Sequence, residues 1–275
     1  MARPRGRRRS TRSSQSKVGI IIASLVLGGI SLAMIAGYAW LNLRAEGNVV
    51  IDKASGCPIA GPNSVTAVLF DASDPMPTST QADVANKFRN IAEGIPQGGY
   101  LWVGVLTPQP GELRVLFSHC NPGDGASVDS WTSNPARHQK IWEEAFAKPL
   151  KNLPSELPAS ETANTSPVMA GIQQLKLKVF DSGMYDRVPK HLVVISDMLE
   201  NTVDYSQYSS GPNYKGFSKS PAASRYRTEL LGADVTILYV DRRKNFSSLD
   251  HAKFWTEWIT QNGGTLNSFV KLEGM

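Results

Sequence analysis

The chain has 275 residues, 41% hydrophobic and 19% charged, with 17 Pro and 23 Gly. That is an ordinary globular composition, which excludes wholesale disorder, collagen and coiled coil. Its formal charge of +5 is concentrated: residues 1–17 hold Arg3, Arg5, Arg7, Arg8, Arg9, Arg12 and Lys17 and no acid. The rest of the chain sets 22 basic against 24 acidic side chains, so no basic folded face is left for nucleic acid, and none is expected as a partner.

After this basic tail, Val18 to Leu43 contains no charged residue over 26 positions. About 20 apolar residues suffice to cross the hydrocarbon core as a helix, so the run can span with some tilt. Tyr38 and Trp40 lie near its far end, where amphipathic aromatics prefer the interface. The positive-inside rule keeps residues 1–17 cytoplasmic and exports everything after Leu43. A cleaved signal peptide is the rival reading, with Gly37-Tyr38-Ala39 as a cleavage pattern, although its apolar region is ordinarily only about 7–15 residues. An uncleaved signal anchor is expected, in a single-pass protein of a bacterial inner membrane whose C-terminal domain is periplasmic. The lipid bilayer is its first partner.

Residues 44–63 read as a polar linker broken by Gly56, Pro58, Gly61 and Pro62, and a folded domain is expected over 64–275. Strands are predicted over 64–71, 100–107, 112–120, 191–197, 233–241 and 265–272, with the second and third close enough to form a hairpin. Helical periodicity covers 80–93, 136–150, 167–180 and 248–262, the last with Phe254, Trp255, Trp258 and Ile259 on one core-facing side. Cys57 and Cys120 are the only cysteines. In an exported chain they close a disulfide or remain two small core thiols.

Strand–helix alternation with continuous apolar strands predicts an α/β fold. The expected sheet is doubly wound and mostly parallel, with one antiparallel edge strand and helices on both faces. Such sheets bind ligands outside the carboxyl ends of their strands, where the winding reverses. Those ends hold Asp71-Ala72-Ser73-Asp74, Thr165-Ser166-Pro167 and Ser196-Asp197. Two carboxylates and several hydroxyls form an oxygen-only set suited to a hard cation such as Mg²⁺. Each residue also has a plain structural reading, since Ser166 before Pro167 is a good helix N-cap and an Asp at a strand end commonly caps.

The order of elements, with LFDAS on the first strand, NTSPVMAGI opening a later helix and VVISD at a strand end, resembles the von Willebrand factor A domain family. The resemblance spans roughly residues 64–272. It implies a protein-interaction module with a metal-ion-dependent adhesion site, completed by an acidic group from the partner. Asp71 and Ser73 match the first two positions of that site's Asp-x-Ser-x-Ser motif, while Pro75 stands where the third would be. Ser166 matches the family's later threonine if Pro167 is aligned, or Thr165 does if the spacing shifts. Asp197 matches its second aspartate, here followed by Met198 where glycine is usual. The resemblance thus implies a site of Asp71, Ser73, Thr165 or Ser166, and Asp197, holding Mg²⁺ or another divalent cation.

No nucleotide-cradling glycine loop occurs, and the four histidines are dispersed. The segment 200–227 contains Tyr205, Tyr208, Tyr214, Phe217 and Tyr226 among Ser, Gly and Pro, the composition of adaptable recognition loops. It reads either as a recognition loop or as disorder. The sequence therefore predicts a membrane-anchored protein-interaction module with an unidentified protein partner and no catalytic residues. A metal-assisted phosphate-ester hydrolase using Asp71 and a metal-free scaffold of an envelope assembly are the alternatives.

Overall fold

The computed structural model describes residues 15–45, 50–52, 54–71, 75–107, 109–131, 133–156, 165–183, 187–242 and 246–273. The chain divides into two compact units, Met1–Val49 and Val50–Met275. The first contains α1 (Gln15–Ala45), whose segment Gly19–Leu43 has a mean hydropathy of 2.4 and is long and apolar enough to cross a membrane. It is a candidate span by length and composition.

In the second unit, β1 (Val65–Phe70), β2 (Tyr100–Leu106), β3 (Leu113–Cys120), β4 (Lys190–Ser196), β5 (Asp234–Tyr239) and β6 (Thr265–Lys271) form one six-stranded sheet. Its order is β3-β2-β1-β4-β5-β6. β3 runs antiparallel to β2 and every other neighbouring pair is parallel. The central strands are the continuous apolar runs: all six residues of β1 are buried, because helices cover both of its faces. Val65, Ala67 and Leu69 point to one core layer, Val68 and Phe70 to the other. The edge strand β3 is only partly buried, with Leu113 in one core layer and Phe117 in the other across a register shift opposite Val103 and Gly104.

On one face lie α2 (Thr78–Glu93) and α4 (Lys148–Glu156), with Val84, Phe88, Leu150 and Leu153 in the core. α4 continues from α3 (Pro135–Trp142) through a π-helical turn, Glu143–Ala147. The opposite face carries α5 (Val168–Leu175), extended by a second π-helical turn, and α9 (Ser248–Gln261). A Cβ at Gly171 would lie 2.0 Å from Leu106 Cδ2, so any larger residue there requires Leu106 to move for α5 to keep its approach to the sheet. The four side chains predicted for the core face of α9, Phe254, Trp255, Trp258 and Ile259, are each at most 1% exposed.

Two sequence expectations change. The linker predicted over 44–63 is bonded to the domain from Val50 onward. Ile59 N–H donates to Val50 C=O at 2.9 Å and Cys120 N–H donates to Ser55 C=O at 2.9 Å. Cys57 and Cys120 stand at disulfide distance, their Cα atoms 4.8 Å apart. The segment 200–227 is ordered by its own aromatics and contains three short helices, α6 (Gln207–Ser210), α7 (Tyr214–Phe217) and α8 (Pro221–Arg225). Tyr205 stacks on Phe254 with ring centroids 6.1 Å apart, and Tyr214 meets Phe254 edge-on at 5.6 Å. Of the three tyrosines expected to serve recognition, Tyr205 is buried and Tyr214 half-buried against Phe254. Tyr208 is exposed.

Candidate functional site

The chain leaves β1 toward β2 and β3, then returns to β4 on the other side, so the winding reverses between β1 and β4. The carboxyl ends of these two strands deliver Asp71 and Ser196-Asp197 side by side, and Asp71 N–H donates to Ile195 C=O at 2.9 Å. The loop into α5 adds Ser166 from a third direction. Asp71 Oδ2 accepts hydrogen bonds from Ser196 Oγ at 2.8 Å and Ser166 Oγ at 3.2 Å. Thr165 is half-buried beside Ser166. Ser73 and its neighbour Asp74 lie outside the described residues.

Ser196 is held in turn. Its Oγ accepts the Met198 N–H at 2.7 Å, which commits the hydroxyl proton to Asp71. Asp197 Oδ1 accepts Leu199 N–H at 3.0 Å, and its Oδ2 lies 2.9 Å from Arg242 Nε. That contact is ionic rather than an aligned hydrogen bond. Arg242 follows the end of β5, and its Nη1 also donates to Pro75 C=O at 3.0 Å. Met198, at the position where the resembled family usually has glycine, adopts φ 57° and is fully buried. This left-handed conformation costs a non-glycine residue roughly 1–2 kcal/mol. It is held by the bond to Ser196 and by Trp255 Nε1, which donates to Met198 C=O at 2.9 Å.

Sequence reasoning missed three members of this cluster: Ser196, Glu200 and Arg242. Ser196 was in view as the neighbour of Asp197, but nothing local marked its hydroxyl as Asp71's closest donor. Glu200 replaces the expected Ser166 cap. α5 begins at Val168 with no side-chain cap from its own segment, and Glu200 Oε2 accepts Met169 N–H at 2.8 Å. Ser166 instead exchanges two backbone bonds with Asn201. Glu200 is completely buried, and that burial pushes its carboxyl up to about 8.

Beneath Glu200 lies His251, also fully buried, between Tyr239 Oη on Nδ1 and Gln207 Oε1 on Nε2, each at 3.1 Å. Nε2 also receives the Trp255 Nε1–H at 3.1 Å, so both ring nitrogens are enclosed by polar partners. Burial pushes His251 down to about 4, so the neutral ring is the form the packing requires.

No family model matches this sequence, and no curated protein matches it. Among solved structures, a von Willebrand factor type A structure from Catenulispora acidiphila is 14% identical, covering 78% of this chain and 39% of that one at a TM-score of 0.43. The chain therefore spans about two fifths of that neighbour. BatB, a conserved hypothetical protein of Bacteroides thetaiotaomicron, is also 14% identical, covering 78% of this chain and 92% of that one at a TM-score of 0.33. At such identity neither likeness assigns a role to any residue. The chain's own sheet, in the order β3-β2-β1-β4-β5-β6 with one antiparallel edge strand, is the mostly parallel α/β sheet expected from the sequence.

The family resemblance of the sequence motifs implies a divalent metal at this site. Asp71, Ser166 and Asp197 offer oxygen donors of suitable chemistry. However, the Asp197 oxygen that would face a cation is already in contact with the Arg242 guanidinium. A divalent ion beside Asp197 would meet that positive charge directly, so the residues as placed do not fit one there.

Proposed function

We propose that the protein is a membrane-anchored protein-interaction module, held by its N-terminal helix in a bacterial inner membrane with the von Willebrand A-like domain in the periplasm. The carrying observation is a rigidly mounted apolar tip beside the Asp71 cluster. Asn201 pairs with Ser166 through two backbone bonds, and Thr202 N–H donates to Tyr205 C=O at 2.9 Å. The turn between them presents Val203, 98% exposed, with Tyr208 exposed shortly after. Tyr205, Phe217 and Tyr226 anchor the same segment in the core. An apolar tip on a prepaid, ordered scaffold loses little entropy when a partner covers it, which favours binding. Asp71 supports the same reading over hydrolysis: at 4% exposure, with two hydroxyls on Oδ2, it is placed to anchor loops rather than to attack a substrate.

The test is photocrosslinking in intact cells from Val203 and Tyr208, with Leu177 as control. Leu177 is 54% exposed at the far end of α5. One shared protein adduct from Val203 and Tyr208, absent from Leu177, is expected. No adduct from either position, or equal labelling from all three, overturns the reading.

A further inference from the structure

We propose that the Arg242 guanidinium is the built-in counter-ion of the Asp71/Asp197 cluster, doing for this site what a bridging divalent ion would otherwise do. The argument begins with charge. Asp71 and Asp197 are 4% and 5% exposed and arrive on adjacent strand ends. Two carboxylates withdrawn from water on neighbouring loops require a compensating cation or extensive hydrogen bonding. The hydroxyls of Ser166 and Ser196 serve Asp71. Asp197 receives one backbone N–H on Oδ1, and its Oδ2 has the guanidinium.

Connectivity gives the second line. A bridging metal joins loops from different strands, and Arg242 does the same. It leaves the end of β5, meets Asp197 after β4, and donates to Pro75 C=O in the loop after β1. Pro75 is where the family motif has a serine. Here its carbonyl oxygen, rather than a side-chain hydroxyl, is the atom used. The departure from the motif at Pro75 and the Arg242 guanidinium thus meet in one contact. A guanidinium suits the task because it remains charged at all working pH and can direct separate N–H groups to separate acceptors.

Removing the arginine should leave an oxygen-lined site of net negative charge, which a hard cation can enter. The experiment uses the full chain purified in detergent, with Mn²⁺ binding followed by the loss of its free electron-paramagnetic signal and stability followed by thermal unfolding. For the parent, equal melting in Mn²⁺ and in chelator is expected, with no site-specific Mn²⁺ uptake. Arg242→Gln is expected to melt lower in chelator, to recover in Mn²⁺, and to bind Mn²⁺ at least about tenfold more tightly than the parent, because a like charge beside the ion has been removed. Parent uptake of Mn²⁺ that Asp197→Asn abolishes overturns the proposal. So does an Arg242→Gln protein that remains unfolded in Mn²⁺, or one that folds and ignores it. Because the parent titration needs no variant that tolerates the loss of Arg242, it decides independently. Failure of the crosslinking test would leave this result untouched.

Discussion

Glu200 and His251 give the domain opposed pH dependences from neighbouring positions. An unfolded glutamate releases its proton near 4.5, whereas buried Glu200 keeps it to about 8. Between those values the folded state holds the extra proton, so stability falls as pH rises. His251 works in the other direction. Its folded value of about 4 lies below the ordinary 6.5, so its contribution is lost as pH falls from 6.5 toward 4. From about 4.5 to 6.5 the two oppose each other; above 6.5 Glu200 acts alone. Glu200→Gln keeps an acceptor for Met169 N–H and cannot ionise. The parent is therefore expected to lose thermal stability from pH 6.5 to 8 while the variant stays level and overtakes it. Parallel melting curves across that range would show that Glu200 ionises without penalty. None of this was legible in the sequence, where Glu200 is one acid in a loop following a strand. Its role is set by an α5 whose own segment supplies no cap, a fact of tertiary geometry.

At the scale of elements, the cysteine pair makes the sharpest expectation. A separation of 63 residues corresponds, in the chain-entropy model, to about 4 kcal/mol, an upper figure because native strain is left out. Unreduced, denatured protein should show no reactive thiol, and Cys57→Ser should lower the melting temperature. Two titratable thiols would end the assignment. The strands and helices themselves were largely readable. The runs around β1, β2 and β4 are continuously apolar because both faces are covered, and the hairpin expected from the second and third runs places the antiparallel edge strand. The segment 200–227 was the exception. Its Tyr, Ser and Gly composition suits a mobile binding loop, but the partner for those rings, Phe254, lies on a helix about 30 to 50 residues downstream. Local composition cannot report such a contact. Arg242 was missed for the same reason: nothing near it in sequence announces Asp197.

For the whole molecule, the decisive quantity is the asymmetry of charge about α1. Seven basic residues and no acid precede the apolar run, and its 25 residues as a helix reach about 37 Å, enough to cross a core of about 30 Å. A reporter fused after Met275 should therefore be active only outside the cytoplasm. Activity of a cytoplasmic reporter at the same position would reverse the topology. The charge signal is legible in sequence because insertion reads the chain before it folds. The site is less so, because it exists only once three strand ends and one helix start have met.

The pairing of Cys57 with Cys120 also determines how the domain would respond to tension. A pull arriving along the chain at Val50 reaches Cys57 before it reaches β1. There it divides, and part of it passes through the sulfur bridge to Cys120, the last residue of the edge strand. The backbone from Pro58 to Ser64 cannot be drawn out past that tether. β1, whose carboxyl end carries Asp71, is thereby protected from being peeled away from its amino end. A pull on the chain ahead of Val50 would then be resisted without first losing the strand that positions Asp71.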